Sequence, residues 1–206
     1  HLHLEGAADP AFISGLAAEK SLDISGIFDE NGKYKFDGFN EFLTTYENAT
    51  QALKSPEDFK RLTQSVLENL AENNVVYAET FISPDFCGDR DLAAWREYLA
   101  AMREAHVEGV TLRGIVTCIR HLGPEKAREA AFCAAETAGD WVVGFGMAGA
   151  ENVGRAKDYS YSFDMAREAG LRLTSHAGEW CGAESVWETL RDLRVERIGH
   201  GVHSIN

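Results

Sequence analysis

Residues 110–119, which read VTLRGIVTCI, decide the fold class of this chain. The stretch is apolar almost throughout and rich in β-branched side chains, which is typical of a strand buried on both faces of a parallel sheet. Residues 74–83 (NVVYAETFIS) have the same character and end before Pro84. Four further short apolar segments bring the predicted number of strands to six: residues 1–4, 141–147, 171–175 and 197–202.

Amphipathic segments lie between these strands and predict helices. Ser55 and Pro56 are typical of a helix N-cap and first turn, and apolar residues recur at helical spacing from Phe59 to Leu70. Further helices are predicted at about residues 92–107, 124–139, 161–169 and 184–193. Strands that alternate with helices in this way indicate a parallel sheet covered by helices.

The order of these segments favours a barrel over a doubly wound sheet. A doubly wound sheet would carry a G-x-G-x-x-G turn after its first strand, and the chain has none there. We therefore predict an α/β fold, a (β/α)8 TIM barrel truncated after about six strands, because a full barrel takes about 250 residues. Residues 1–206 are expected to form one incomplete barrel domain, with a helical insertion at about residues 7–50 after the first strand.

Composition restricts the possible partners. The 206 residues carry a formal net charge of −13, which disfavours binding to nucleic acid or to an anionic membrane surface. No apolar run approaches the ~20 residues that a membrane span needs. The four cysteines form no C-x-x-C pair and are typical of reduced thiols, so we expect a cytoplasmic protein. Because the chain begins at His1 without Met, we expect a piece of a longer protein.

Four histidines and two carboxylates, Glu5 and Glu179, lie at the ends of three predicted strands. His1 and His3 are two residues apart on an extended segment, so their side chains point to the same side. His176 and Glu179 follow another strand, and His200 lies between two glycines, which weaken a strand and indicate close approach of a ligand. Each residue has a structural alternative: a histidine satisfied in the core, or a glutamate that caps the next helix.

We expect the residues at these three strand ends to lie on one face of the barrel. The carboxyl ends of the strands form the face where barrel active sites lie. Imidazole nitrogens suit zinc, and zinc activates water for attack on an electron-poor carbon. A neighbouring Glu179 could act as an acid if burial raises its pKa. The residues therefore predict metal-assisted hydrolysis.

Three motifs resemble, in order and spacing, the adenosine deaminase family of the amidohydrolase superfamily. They are residues 1–6 (HLHLEG), 175–179 (SHAGE) and 197–205 (RIGHGVHSI), and the resemblance covers the whole chain. It implies a barrel of the metal-dependent hydrolase type, one zinc ion per chain, no other cofactor, and hydrolytic loss of ammonia from carbon 6 of a purine.

The resemblance also implies roles for five residues. His1, His3 and His176 resemble the zinc ligands of the family. Glu179 resembles the acid that protonates purine ring nitrogen 1. His200 resembles the histidine that orients the attacking water and stabilises the developing charge.

Substrate contacts follow from the same resemblance. Gly149 resembles the glycine whose backbone amide contacts the purine, and Glu5 stands where adenosine enzymes commonly carry Asp toward the ribose. Phe39 resembles a residue of the helical lid, although an ordinary amphipathic helix would also place it there. Phe81 stands where many members carry Arg. The last zinc ligand, an Asp, is expected beyond residue 206, so residues 1–206 alone are expected to be inactive.

The resulting expectation is deamination of adenosine or deoxyadenosine to inosine and ammonia. The alternative is an adenine deaminase that acts on the free base, because Glu5 in place of Asp occurs in relatives of that kind. A third hypothesis is a non-catalytic purine-binding relative. The expected partner is a small purine, with no nucleic acid and no membrane.

Overall fold

The structure, a computed structural model, describes residues 1–205. Helices and strands alternate along the chain from the third helix onward. In chain order the elements are α1 (Pro10–Glu19), α2 (Gly38–Thr50), α3 (Pro56–Glu72), β1 (Tyr77–Ile82), α4 (Leu92–Glu104), β2 (Thr111–Ile119), α5 (Pro124–Glu136), β3 (Val142–Ala148), α6 (Ser160–Glu168), β4 (Arg172–Ala177), α7 (Ala183–Glu188) and β5 (Arg197–His200).

The five strands form one sheet in the consecutive order β1-β2-β3-β4-β5. The pairs β2–β3, β3–β4 and β4–β5 are parallel. A parallel pair needs a crossover between its strands, and helices supply it here. The predicted parallel α/β sheet is therefore confirmed, and the carboxyl ends of β2 to β5 lie along one edge.

One difference concerns residues 1–4, which were predicted as a strand. His3 is a single bridge residue, and the backbone of Leu4 already has helical angles of φ −58° and ψ −50°. A short 3-10 helix, Glu5–Ala7, follows directly. Two apolar residues in alternation are too short a pattern to exclude a turn, so the described residues contain five strands and not six.

Contacts divide the chain into two compact units. The first unit comprises His1, Glu79–Arg96 and the chain from Leu112 onward. Its core includes Phe145 and Phe163, whose rings meet edge to face with centroids 5.2 Å apart. Trp95 is also fully buried, and its indole Nε1 donates a hydrogen bond to Thr137 Oγ1 at 3.1 Å.

The second unit comprises Leu2–Ala78 and Glu97–Thr111. The predicted insertion at residues 7–50 is largely helical, with α1 and α2 as its main elements. The predicted start of α3 is confirmed, because Ser55 and Asp58 form a reciprocal capping box. That residues 1–206 form a single barrel domain stays a prediction. Among the residues described, no helix has both the length and the apolar composition that a membrane crossing requires.

Candidate active site

His176 lies at the carboxyl end of β4, as predicted. β4 reads RLTSHA, and every residue after Arg172 is buried. The register of β4 with β5 places His176 beside Gly199 and Ala177 beside His200. Only 7% of His176 is exposed. The sheet therefore positions this imidazole at the edge formed by the strand ends.

His1 joins His176 although 175 residues separate them. Their Nε2 atoms are 2.8 Å apart, and their rings are almost perpendicular at 81°. The His200 ring is also close, with its centroid 4.5 Å from that of His1 and 5.0 Å from that of His176. Phe81 packs against His1 and His176 at centroid distances of 5.0 and 5.2 Å. We call His1, His176 and His200 the imidazole cluster.

Gly199 makes room for this cluster. A Cβ atom at Gly199 would lie 2.9 Å from Cε1 of His1, closer than side-chain carbons normally approach. The glycine before His200 was interpreted as a sign that a ligand approaches the strand. In the structure the space is filled by the imidazole ring of His1.

Glu179 lies beside the imidazole cluster. Its Oε2 is 3.3 Å from Nε2 of His200, and both side chains are about a quarter exposed. Burial raises the pKa of Glu179 above its ordinary value, and the neighbouring His200 opposes that rise only in part. A carboxyl group of this kind keeps its proton to higher pH than an exposed glutamate does, as a general acid requires.

His3 and Glu5 belong to the second unit. Glu5 is 5% exposed and accepts a hydrogen bond of 2.9 Å from the hydroxyl of Tyr46, which lies in α2. Burial raises the pKa of Glu5 to about 7, against the opposing effects of its own backbone and of Tyr46. The Tyr46 ring also meets the His3 ring edge-on, with centroids 6.5 Å apart. The helical insertion thus contacts both residues.

The other two predicted substrate residues lie in different units. Gly149 follows β3 with a φ of +96°, and a Cβ there would lie 2.8 Å from Nδ1 of His121. A side chain at this position would therefore collide with His121. Phe39 lies in α2, where its ring stacks on that of Phe42 with centroids 6.2 Å apart. The roles of Gly149 and Phe39 toward a purine stay predictions.

Glu151 is a residue of the site that was not predicted from the sequence. It lies two residues after Gly149 and is 4% exposed. Its carboxylate accepts hydrogen bonds from consecutive backbone amides of residues 178–181, the loop that carries Glu179. The signal that drew attention to Glu179, a carboxylate soon after the end of a predicted strand, was present at Glu151 too.

The donor set of the imidazole cluster fits a metal ion. Two imidazole nitrogens, those of His1 and His176, converge from different parts of the chain. Imidazole nitrogens are ligands that zinc prefers. The fold and these residues define a class of protein: a parallel α/β barrel protein whose candidate metal site lies at the carboxyl ends of the strands.

Comparisons with known proteins agree with this class. The sequence model of the adenosine deaminase family matches residues 1–206. The adenine deaminase of Agrobacterium fabrum is 46% identical over 210 residues, covering 100% of this chain and 64% of its own length. The solved adenine deaminase from Arthrobacter aurescens has a TM-score of 0.82 and 29% identity, covering 98% of this chain and 64% of that one. An amidohydrolase from Burkholderia ambifaria with bound zinc has a TM-score of 0.83 and 26% identity, with coverage of 98% and 57%.

The chain therefore belongs to the adenosine deaminase family. The predicted barrel fold class is confirmed, because the neighbouring structures share it over almost the whole chain. The chain spans about two thirds of the length of the curated relatives it matches, 64% in the case of the Agrobacterium enzyme.

Proposed function

We propose that the protein containing this chain is a zinc-dependent adenine deaminase. Water replaces the amino group at carbon 6 of the free base: a C–O bond forms, the C–N bond breaks, and hypoxanthine and ammonia leave. The observation that carries the proposal is the convergence of the imidazole cluster with the raised-pKa carboxyl of Glu179. Together these groups offer a metal site, an acid and a hydrogen-bonding histidine around one point.

The residues of the chain divide the chemistry among them. His1 and His176, whose Nε2 atoms lie 2.8 Å apart, would hold the zinc ion, and the resemblance to the family adds His3 as a third ligand. Zinc supplies Lewis acidity, which lowers the pKa of water in contact with it to roughly 7. Glu179 would donate its proton to purine ring nitrogen 1, which makes carbon 6 more electrophilic. His200, at 3.3 Å from Glu179, would orient the attacking water by a hydrogen bond.

Two features support the free base over the nucleoside, although the sequence analysis put adenosine first. The curated relatives with 46%, 41% and 43% identity over the whole chain are all adenine deaminases. Glu5 has one methylene more than Asp, and Tyr46 binds its Oε2 while its Oε1 has no hydrogen-bond partner within residues 1–205. By the resemblance, Glu5 stands where adenosine enzymes carry Asp toward the ribose, and we propose that its longer side chain favours the free base over the nucleoside.

A substrate comparison tests this proposal. The full-length, zinc-loaded protein is assayed for ammonia release with adenine and with adenosine at equal concentration. We expect kcat/KM for adenine to exceed that for adenosine by more than about tenfold, since a missing complementary contact costs a few kcal/mol. A preference for adenosine would refute the choice of substrate, and no release from either would refute the deaminase activity.

The Glu5→Asp variant separates the substrate question from the chemistry. If Glu5 excludes the ribose, the shorter side chain should raise kcat/KM for adenosine relative to adenine. Glu30→Asp is a matched control, because Glu30 is an exposed glutamate of the same insertion. If the ratio of kcat/KM values for adenosine and adenine is unchanged in Glu5→Asp, Glu5 does not select the substrate. The proposed role of Glu179 does not depend on this result.

A further inference from the structure

We propose that Glu151 is a positioning residue for Glu179: its buried carboxylate binds the loop after β4 and sets the direction of the Glu179 side chain. The inference rests on the proposed function, since it assigns Glu151 to the same reaction. Glu151 itself is not expected to touch the purine. It acts through the backbone of residues 178–181.

Five donors converge on the Glu151 carboxylate. Oε2 accepts from the amides of Glu179, Trp180 and Cys181 at 3.0, 2.8 and 3.0 Å. Oε1 accepts from the amide of Gly178 and from the Ser185 hydroxyl, both at 2.5 Å. Four consecutive amides that face one anion fix the backbone of the loop, and the residue in the middle of this arrangement is Glu179 itself.

The charge of Glu151 is suited to this task. Burial alone would raise the pKa of Glu151, but the bonds from Ser185 and from the loop amides outweigh burial and lower it. The group therefore stays ionised, and its hydrogen bonds are charge-assisted and about twice as strong as neutral ones. Successive backbone N–H groups around an anion form a concave nest, which normally binds a ligand and here binds a side chain.

The segment that carries Glu151 is itself braced. Arg120, just after β2, donates to the carbonyls of Val153 and Gly154 at 2.7 and 3.1 Å. The amide of Ala150 contacts Nδ1 of His121 at 3.2 Å. Contacts thus run from the end of β2 to the segment after β3 and from there, through Glu151, to the loop after β4. Such support is what keeps a catalytic side chain in place.

A second link joins the segment after β3 to α7, the helix that follows the loop, and serves as a control. Arg155, four residues after Glu151, forms an ion pair of 2.6 Å with Glu188 in α7. This pair does not involve residues 178–181. If tying the two segments together were sufficient, loss of Glu188 should have the same effect as loss of Glu151.

The test uses the full-length, zinc-loaded protein and a double-mutant cycle. Glu151→Gln keeps the shape of the side chain but removes its charge and turns an NH2 group toward the amides. We expect kcat for adenine to fall between about tenfold and a hundredfold, as for a misplaced catalytic group, with KM and zinc content within about twofold. In the Glu179→Gln background, Glu151→Gln should cause no further loss of kcat. Glu188→Gln should leave kcat within about twofold of wild type.

An equal loss of kcat in both backgrounds would overturn the inference, because a residue that acts through Glu179 has nothing to position once the acid is removed. A loss of the same size in Glu188→Gln would overturn it too. If Glu151→Gln does not fold, Ser185→Ala replaces it in the cycle. That variant removes one donor of the five, and we expect a loss of about twofold to fivefold that disappears in the Glu179→Gln background.

Hydrogen exchange separates this inference from the proposed function, because it needs no substrate. We expect the amides of residues 178–181 to exchange at least about tenfold faster in Glu151→Gln than in the wild type, and unchanged in Glu188→Gln. Unchanged exchange in Glu151→Gln would refute the positioning role even in an active enzyme. If exchange is faster in Glu151→Gln but the protein does not deaminate adenine, Glu151 does hold the loop in place. The proposed deaminase function would then be refuted.

Discussion

At the scale of single residues, the imidazole cluster depends on very close packing. The Nε2 atoms of His1 and His176 are 2.8 Å apart, and the ring of His1 lies only 2.9 Å from the position that a Cβ of residue 199 would take. Glycine is the one residue that leaves this space open. The position of His1, a proposed metal ligand, therefore depends on Gly199, which has no side chain that could bind a metal.

Gly199→Ala should weaken zinc binding without changing any ligand. The new Cβ would come within 2.9 Å of Cε1 of His1 and push the ring away from His176. We expect the zinc affinity of the full-length protein to fall by about 10- to 100-fold, the usual effect of a disturbed ligand orientation, measured by chelator competition. In the control Gly139→Ala, no atom lies within 4 Å of the new Cβ, so affinity should stay at the wild-type value. Equal affinities in all three proteins would contradict the prediction.

Glu179→Gln should separate metal binding from turnover. The amide has the shape of the carboxyl group but cannot donate an acidic proton. Because general acids contribute about 10²–10⁴-fold, we expect kcat for adenine to fall by at least about a hundredfold while zinc content stays the same. Ammonia release and metal analysis measure the two quantities on one preparation. Near wild-type turnover would show that Glu179 is not the acid.

At the scale of elements, the start of α3 combines a local cap with an ion pair. Asp58 accepts from the amides of Lys54 and Ser55 at 2.8 and 2.9 Å and pairs with the ammonium group of Lys20. Burial would raise the pKa of Asp58, but the bonds from Lys20, Lys54 and Ser55 outweigh burial and lower it. The folded second unit thus prefers the ionised carboxylate.

This preference gives a stability that depends on pH. Because the folded pKa of Asp58 lies below its unfolded value of about 3.9, the stabilisation is complete above that value and is lost as pH falls through the folded pKa. We expect Asp58→Asn to lower the free energy of unfolding at pH 7 by roughly 1–3 kcal/mol. The difference in the free energy of unfolding between Asp58→Asn and wild type should shrink below about pH 4. Urea unfolding between pH 3 and pH 7 measures both.

The control for this prediction is Glu57→Gln. Glu57 is the exposed neighbour of Asp58 in the same helical turn. Its substitution should change stability by no more than about 0.5 kcal/mol at either pH, as surface changes normally do. A constant difference between Asp58→Asn and wild type over the whole pH range would mean that ionisation of Asp58 contributes nothing.

At the scale of the whole molecule, parallel strands in consecutive order bring remote residues to one edge. His176 follows β4 and His200 ends β5, while the chain start supplies His1. A metal ion bound by such residues stabilises the folded state, since the unfolded chain has no preformed site.

Removal of metal should therefore lower both activity and stability of the full-length protein. At a free zinc concentration about 1,000 times Kd, one site contributes about 4 kcal/mol to the free energy of unfolding. We expect chelation to abolish ammonia release and lower Tm, and zinc to restore both. His176→Ala should show no zinc-dependent shift in Tm. A shift of wild-type size in that variant would place the metal elsewhere.

Particular residues show how far sequence reasoning extends. The capping box of Ser55 and Asp58 and the apolar stretch of β2 were predicted correctly, because caps and burial patterns act over a few neighbouring residues. The family was also recognisable from local motifs, while the roles of His176, Glu179 and His200 stay predictions. The strand predicted at residues 1–4 is only a single bridge residue, His3, followed by a turn at Leu4, because four residues are too few for the pattern to decide.

Local sequence patterns were sufficient to predict the alternation of strands and helices, the family and the chemical groups proposed for catalysis. Two contacts could be seen only in the folded chain: the ring of His1 lies against Gly199, and Glu151 binds the loop of Glu179, which follows it by 27 to 30 residues. The reason is physical. Local patterns depend on backbone geometry and on burial of neighbouring residues, whereas these contacts depend on the register of strands that are remote in sequence.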